Sequence, residues 1–300
     1  MEKLYLGLAL GGGGSRGVAH IGALQSLHEN GIKPDLIAGV SAGSMIGAMY
    51  AATLDPAWIE NRFRELMSSD LFTSFSFGSL MAGRNKETYL EEITTKVDSR
   101  YMIGLGLNEA YILPRSIIEN AVEFMMPCNN FEELQIPLKV IATDIQNGQE
   151  IVYSNGNIKE AIIQSSSIPG FFEATDKNDK LIVDGGVTSP IPVKILKDYT
   201  EMVMAIDITN YELKPLTKPN MIEIMRRSDI ITSLRLKNEL ARQADILVKP
   251  EVSGIHWSDF NNFDMLLERG KNAMMLTLET LKNSEPNRES IYYKLYSILK

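Results

Sequence analysis

The chain has 300 residues, 44% of them hydrophobic and 23% charged, with a net charge of −8. That is ample material for a large buried core, and the balance excludes wholesale disorder. The acidic surplus argues against a nucleic-acid partner, which needs a dense basic surface, and leaves any contact with lipid to local apolar groups.

Leu4 to Leu10 is an apolar run that stops at Gly11, and it reads as a buried first strand. It is too short for a signal peptide and ends in glycines and Arg16 rather than in a cleavage site. No stretch reaches the roughly 18 apolar residues of a bilayer span. The single cysteine, Cys128, precludes an internal disulfide. A cytoplasmic protein is expected, with at most a transient peripheral contact with a membrane.

Ile21, Ala23, Leu24 and Leu27 then recur at helical spacing, and Gly31 with Pro34 ends that helix. Leu36 to Val40 is strand-like, and a helix follows from about Gly43 to Leu54. Strand, helix, strand, helix is the start of a parallel sheet with helices on its faces. Asp55 caps a third helix whose first residue is Pro56. Residues 69–84 lose periodicity while carrying Phe72, Phe75, Phe77 and Leu80, a stretch suited either to a lipid-facing flap or to packing on the core. Helices are expected near 86–98 and 114–126, and a strand over Leu138–Ile145. Asn147-Gly148 turns the chain into Ile151–Tyr153. Asn157 caps a helix through Ser165, and Pro169-Gly170 breaks the chain. Leu181–Val183 is a short strand, Met202–Ile208 another, Met221–Ala244 a helix and Ile246–Val248 a last strand, with the remainder helical. No linker or repeat interrupts this order. The expectation is one α/β domain over 1–300, with a mostly parallel central sheet and helices on both faces. Its motifs fall within 4–210, and 211–300 forms a helical part.

Three motifs carry chemistry. The first is Gly11-Gly12-Gly13-Gly14-Ser15-Arg16-Gly17, between the first strand and the first helix. Glycines leave backbone N–H groups uncovered, and the helix N-terminus adds positive dipole, so the loop suits an anion. Gly12, Gly14 and Gly17 match the dinucleotide pattern G-x-G-x-x-G, but the acidic residue that pattern needs at the far end of the second strand is missing. Asp35 stands at that strand's start, and the far end is Ser41. The other use of such a loop is an oxyanion hole.

The second motif is Gly39-Val40-Ser41-Ala42-Gly43, G-x-S-x-G at a strand-to-helix junction. The tight turn strains Ser41, and only glycine at 39 and 43 lets neighbouring chains pass close by. The hydroxyl projects above the sheet, and the Ala42 N–H points into the same space. A serine nucleophile needs a base. The histidines are His20, His28 and His256. His20 and His28 have the pattern of core and surface helix positions, and His256 has the chain order of a Ser-Asp-His triad. The third motif offers another base: Asp184 ends a short strand and is followed by Gly185 and Gly186.

Together and in this order, the three motifs resemble those of the patatin-like phospholipases, bacterial members especially. Ala142-Thr143-Asp144 and Ser166-Ser167-Ile168-Pro169-Gly170-Phe171-Phe172 add to the likeness. The resemblance implies a three-layer α/β architecture and a Ser41–Asp184 dyad without histidine. It places the oxyanion hole at the amides of Gly12, Gly13 and Gly14, with Arg16 ordering the loop. It implies hydrolysis of lipid acyl esters of the phospholipase A, lysophospholipase or carboxylesterase kind, with no cofactor and no metal. Alternatives are a lipid transacylase with the same site, or a nucleotide-binding module on the Gly12 loop. An acyl-carrier acyltransferase would carry histidine before the nucleophile, where this chain has Val40.

Overall fold

The central strands carry apolar residues on both of their faces, and the fold covers both. The computed structural model describes residues 3–75, 110–209, 213, 215–216, 219–284 and 292–299. Among them lie strands β1 (Leu4–Leu10), β2 (Leu36–Val40), β3 (Leu138–Asp144), β4 (Gln149–Tyr153), β5 (Thr175–Lys177), β6 (Lys180–Asp184), β7 (Thr200–Ile206) and β8 (Ile246–Val248). The helices are α1 (Val18–Glu29), α2 (Ala42–Thr53), α3 (Pro56–Met67), α4 (Asp70–Phe75), α5 (Ser116–Met125), α6 (Ile158–Ser165), α7 (Val193–Lys197), α8 (Met221–Ala241), α9 (Phe263–Asn283) and α10 (Tyr293–Leu299). Leu6, Leu8 and Leu10 of β1 enter one core with α1, α2, α3, α5, α6 and α9. Ala9 of β1 enters a second core with α7 and the end of α8. The result is a mixed α/β fold of three layers, helices above and below one sheet.

The sheet is parallel along β3-β2-β1-β7-β8, and β4, β5 and β6 join it antiparallel. Val140 and Ala142 of β3 both pair with β4, so β4 holds one edge of β3. The other edge is divided: Leu138–Ile141 pairs with β2, and Ala142–Asp144 pairs with β6. The C-terminal ends of β2 and β6 therefore meet nose to nose beside β3. That meeting point brings Ser41 and Asp184 together.

Helix α1 is buried from Val18 to Leu24, because the sheet lies under it and α9 crosses over it. The crossing is made by two glycines. A Cβ at Gly22 would stand 1.9 Å from Leu267 O, and one at Gly270 would stand 1.9 Å from Ala19 O. Gly270→Val should therefore push α9 off α1 and cost about 3 kcal/mol or more, read as a lowered melting temperature.

Two expectations are corrected. Asp70–Phe75 is helical, with Phe72 packed edge-on against Phe260 at 5.4 Å, although no periodicity marks it. Residues 249–262, expected to be helical, run as turns and irregular chain, since Pro250 removes a donor and Gly254 takes φ 77. The short β5 and α7 had no expectation at all. The proposed helix near 86–98, with Phe77 and Leu80, lies outside the described residues. Met125, Met126 and Cys128 are core, and burial pushes the Cys128 thiol up from its ordinary pKa, which keeps it a neutral thiol.

Candidate active site

Ser41 links β2 to α2 with φ 53 and ψ −123, a conformation that costs a residue with a Cβ about 1–3 kcal/mol. The surroundings enforce it. A Cβ at Gly43 would lie 2.3 Å from Leu10 O, and one at Gly39 would lie 2.4 Å from Gly43 O. Any other residue at either position would push α2 off the strand ends. The Ser41 N–H donates to Ser165 Oγ at 2.9 Å, and its carbonyl accepts from Ser44 N and Oγ. The residue is 7% exposed, and its hydroxyl is near enough to the Asp184 carboxyl to pull that group's pKa down.

Asp184 is the last residue of β6. Its N–H donates to Ser167 O at 2.9 Å, and its Oδ1 accepts from Gly186 N at 2.7 Å. Gly185 lies against Ile141 O of β3. Burial pushes the carboxyl up to about 6, against the opposing pull of its bonds from Ser41 and Gly186. A carboxyl in that range is half ionised near pH 6 and mostly ionised at neutrality, so it is available to take a proton from a neighbouring hydroxyl. Ser165 and Ser167, at the end of α6, hold both partners. Sequence reasoning missed them, and the only local signal is a run of three serines closing a capped helix.

The glycine loop lies on the other side of Ser41. A Cβ at Gly12 would be 3.4 Å from Ser41 Cβ, and one at Gly17 would be 2.8 Å from Ala42 Cβ. The assignment of Gly12 to an oxyanion hole is corrected here, because its N–H already donates to Pro190 O at 3.1 Å. Among the described residues no backbone carbonyl accepts from Gly13, Gly14 or Ala42. Arg16 is buried, and its Nε donates to Gly13 O at 3.2 Å. The segment 256–257 closes the loop from outside. Ser15 N donates to Trp257 O at 2.6 Å, Ser15 Oγ donates to His256 O at 3.0 Å, and Gly14 passes beneath at φ 58.

The histidines have other work. His20 is fully buried, which lowers its pKa to about 4, so it is neutral at pH 7 and donates from Nε2 to Gly11 O at 2.8 Å. His256 Nδ1 pairs with Ser258 Oγ at 2.9 Å. His28 is exposed near the end of α1. Asp35 accepts from Leu6 N through Oδ2, at the end of the sheet away from Ser41. Among the described residues no cluster of His, Cys, Asp or Glu could hold a metal ion, and no helix is long and apolar enough to cross a membrane.

The three-layer α/β fold thus brings a strained serine, a buried aspartate and a glycine loop together at the ends of its strands. Residues 8–197 match the family model of the patatin-like phospholipases, and the chain belongs to that family. It is 26% identical over 294 residues to the mouse patatin-like phospholipase domain-containing protein 7, covering 88% of this chain and 20% of that protein. It is 25% identical over 291 residues to the lysophospholipase NTE1 of Kluyveromyces lactis, covering 88% of this chain and 18% of that one. The chain thus spans less than a quarter of the length of these two relatives, and 46% of a mycobacterial NTE family protein. Among solved structures it is similar to VipD from Legionella pneumophila, at a TM-score of 0.44 and 13% identity, covering 93% of this chain and 67% of that one.

Proposed function

We propose that this chain hydrolyses the acyl esters of lipids, with Ser41 as nucleophile and Asp184 as its general base. The observation that carries the reading is the meeting of the ends of β2 and β6 beside β3, which sets the strained, buried Ser41 against a buried aspartate whose pKa burial raises to about 6. Ser41 Oγ attacks the ester carbonyl while Asp184 takes its proton. The amides of Gly13, Gly14 and Ala42 receive the charge that develops on the carbonyl oxygen. The tetrahedral adduct collapses, Asp184 returns the proton to the departing alcohol or lysolipid, and an acyl-serine remains. Water, deprotonated by the same carboxylate, then releases the fatty acid and restores Ser41. Lipid as the substrate class is supported by family membership and by the aromatic pair Phe171 and Trp257, whose rings meet edge-on at 5.1 Å where Trp257 abuts the glycine loop.

The test is a panel of phospholipids, lysophospholipids and neutral lipids with products identified by mass spectrometry, and a glycerol arm to separate hydrolysis from acyl transfer. Release of free fatty acid supports the reading. A wild-type protein that releases none, and that a fluorophosphonate fails to label, refutes it. Because the proposed steps use only a serine, a carboxylate and backbone amides, turnover should be unchanged in EDTA. A loss restored by added calcium would show that a metal takes part.

A further inference from the structure

In a trans peptide the carbonyl and the following N–H point in opposite directions, so whatever holds a carbonyl aims the next amide. Among the described residues no peptide bond is cis. Three successive carbonyls of the glycine loop are held by side chains. His20 Nε2 donates to Gly11 O at 2.8 Å, Thr209 Oγ1 to Gly12 O at 3.2 Å, and Arg16 Nε to Gly13 O at 3.2 Å. The first aims the Gly12 amide at Pro190 O. The second and third aim the two amides that no backbone carbonyl claims, Gly13 and Gly14.

Thr209 belongs to none of the three motifs. It follows β7, and its own position is fixed. Its N–H donates to Asp207 Oδ1 at 3.0 Å, and Lys237 of α8 donates from Nζ to Asp207 Oδ2 and to Thr209 O, both at 2.9 Å. The Lys237 and Asp207 side chains are 7% and 3% exposed. Burying such a pair is expensive, and here its remaining hydrogen bonds go to the backbone of one short turn. Ile208, within that turn, backs Gly13 closely enough that a Cβ there would be 2.7 Å from Ile208 Cδ1.

We propose that Thr209 is a positioning residue of the oxyanion hole: its hydroxyl holds the Gly12 carbonyl so that the Gly13 N–H faces the reacting carbonyl oxygen, and the Lys237–Asp207 pair holds Thr209. This rests on the ester-hydrolase reading above. An amide aimed at an oxyanion acts on the transition state and hardly on the bound ester, so its loss lowers kcat and spares KM.

The experiment measures p-nitrophenyl butyrate hydrolysis and inhibition by an alkyl trifluoromethyl ketone, whose serine adduct carries an oxyanion. Thr209→Val should lower kcat roughly tenfold, leave KM within about twofold and weaken the ketone by a similar factor. Thr209→Ser should recover both. The proposal is overturned if Thr209→Val keeps wild-type kcat and ketone affinity, if the serine variant is as impaired as the valine one, or if KM alone changes. If Thr209→Val does not melt as a folded protein, Thr209→Ala is judged by the same criteria. A wild-type enzyme that a fluorophosphonate does not label at Ser41 fails the hydrolase reading itself. Labelling at Ser41 with no response at Thr209 fails only this inference.

Discussion

Asp184→Asn should lower turnover by about 10²–10⁴-fold and, at pH 8, make the protein more stable. The two effects share one cause. Burial raises the folded-state pKa of Asp184 from 3.8 to about 6, so the native state binds this proton more tightly than the unfolded chain does. The cost of ionising Asp184 in the fold is absent below the unfolded value, grows as pH rises through the folded one, and is complete above it. Asparagine never pays that cost and can still accept the hydrogen bond that Gly186 donates to Oδ1. The gain at pH 8 is on the order of 2–3 kcal/mol, a rise of several degrees in Tm, and it should shrink to nothing near pH 4. Activity of the unmodified enzyme should fall on the acid side with a midpoint near 6, where the base protonates. His256→Ala should leave that limb in place, because its ring is occupied with Ser258. If the asparagine variant keeps near-wild-type turnover while His256→Ala is inactive, the base is the histidine.

Ser41→Ala should abolish turnover, with a loss on the order of 10⁶-fold, and should leave no site for a fluorophosphonate. Ser41→Gly should be equally inactive, and the comparison between the two is informative. Alanine keeps the cost of φ 53, whereas glycine relieves it. After the extra entropy lost by glycine on folding, Ser41→Gly should melt as a protein about 1 kcal/mol more stable than Ser41→Ala. Equal melting temperatures would mean that the elbow is not strained. Residual burst labelling in either variant would move the nucleophile elsewhere.

What was legible in the sequence is what the site achieves locally. The nucleophile turn needs glycines two residues either side of Ser41, and the Asp184 turn needs small residues directly after it, so each leaves a short spacing in the chain. The central strands were legible because both of their faces are buried, which writes them as apolar runs. What was illegible depends on contacts between distant segments. Gly12 looks like a free donor until Pro190 is seen to accept from it. Ser165, Ser167, Thr209 and Lys237 look like ordinary polar positions until the fold brings them to the glycine loop and the strand ends. Helix α4 and strand β5 are too short to show a period, and residues 249–262 lie between a short strand and a long helix, where only Pro250 and Gly254 mark irregular chain.

The shared edge of β3 has a kinetic consequence. The unit β1-α1-β2-α2 is local in sequence and can assemble the serine turn early, as low-separation contacts do. The carboxylate arrives only when β6 docks on the last residues of β3, beyond the point where β2 ends. During refolding the chain should therefore pass through a state that has its nucleophile in place and no base beside it. Secondary structure and core burial would then return before reactivity, and the rate of fluorophosphonate labelling would time the docking of β6 rather than collapse of the chain.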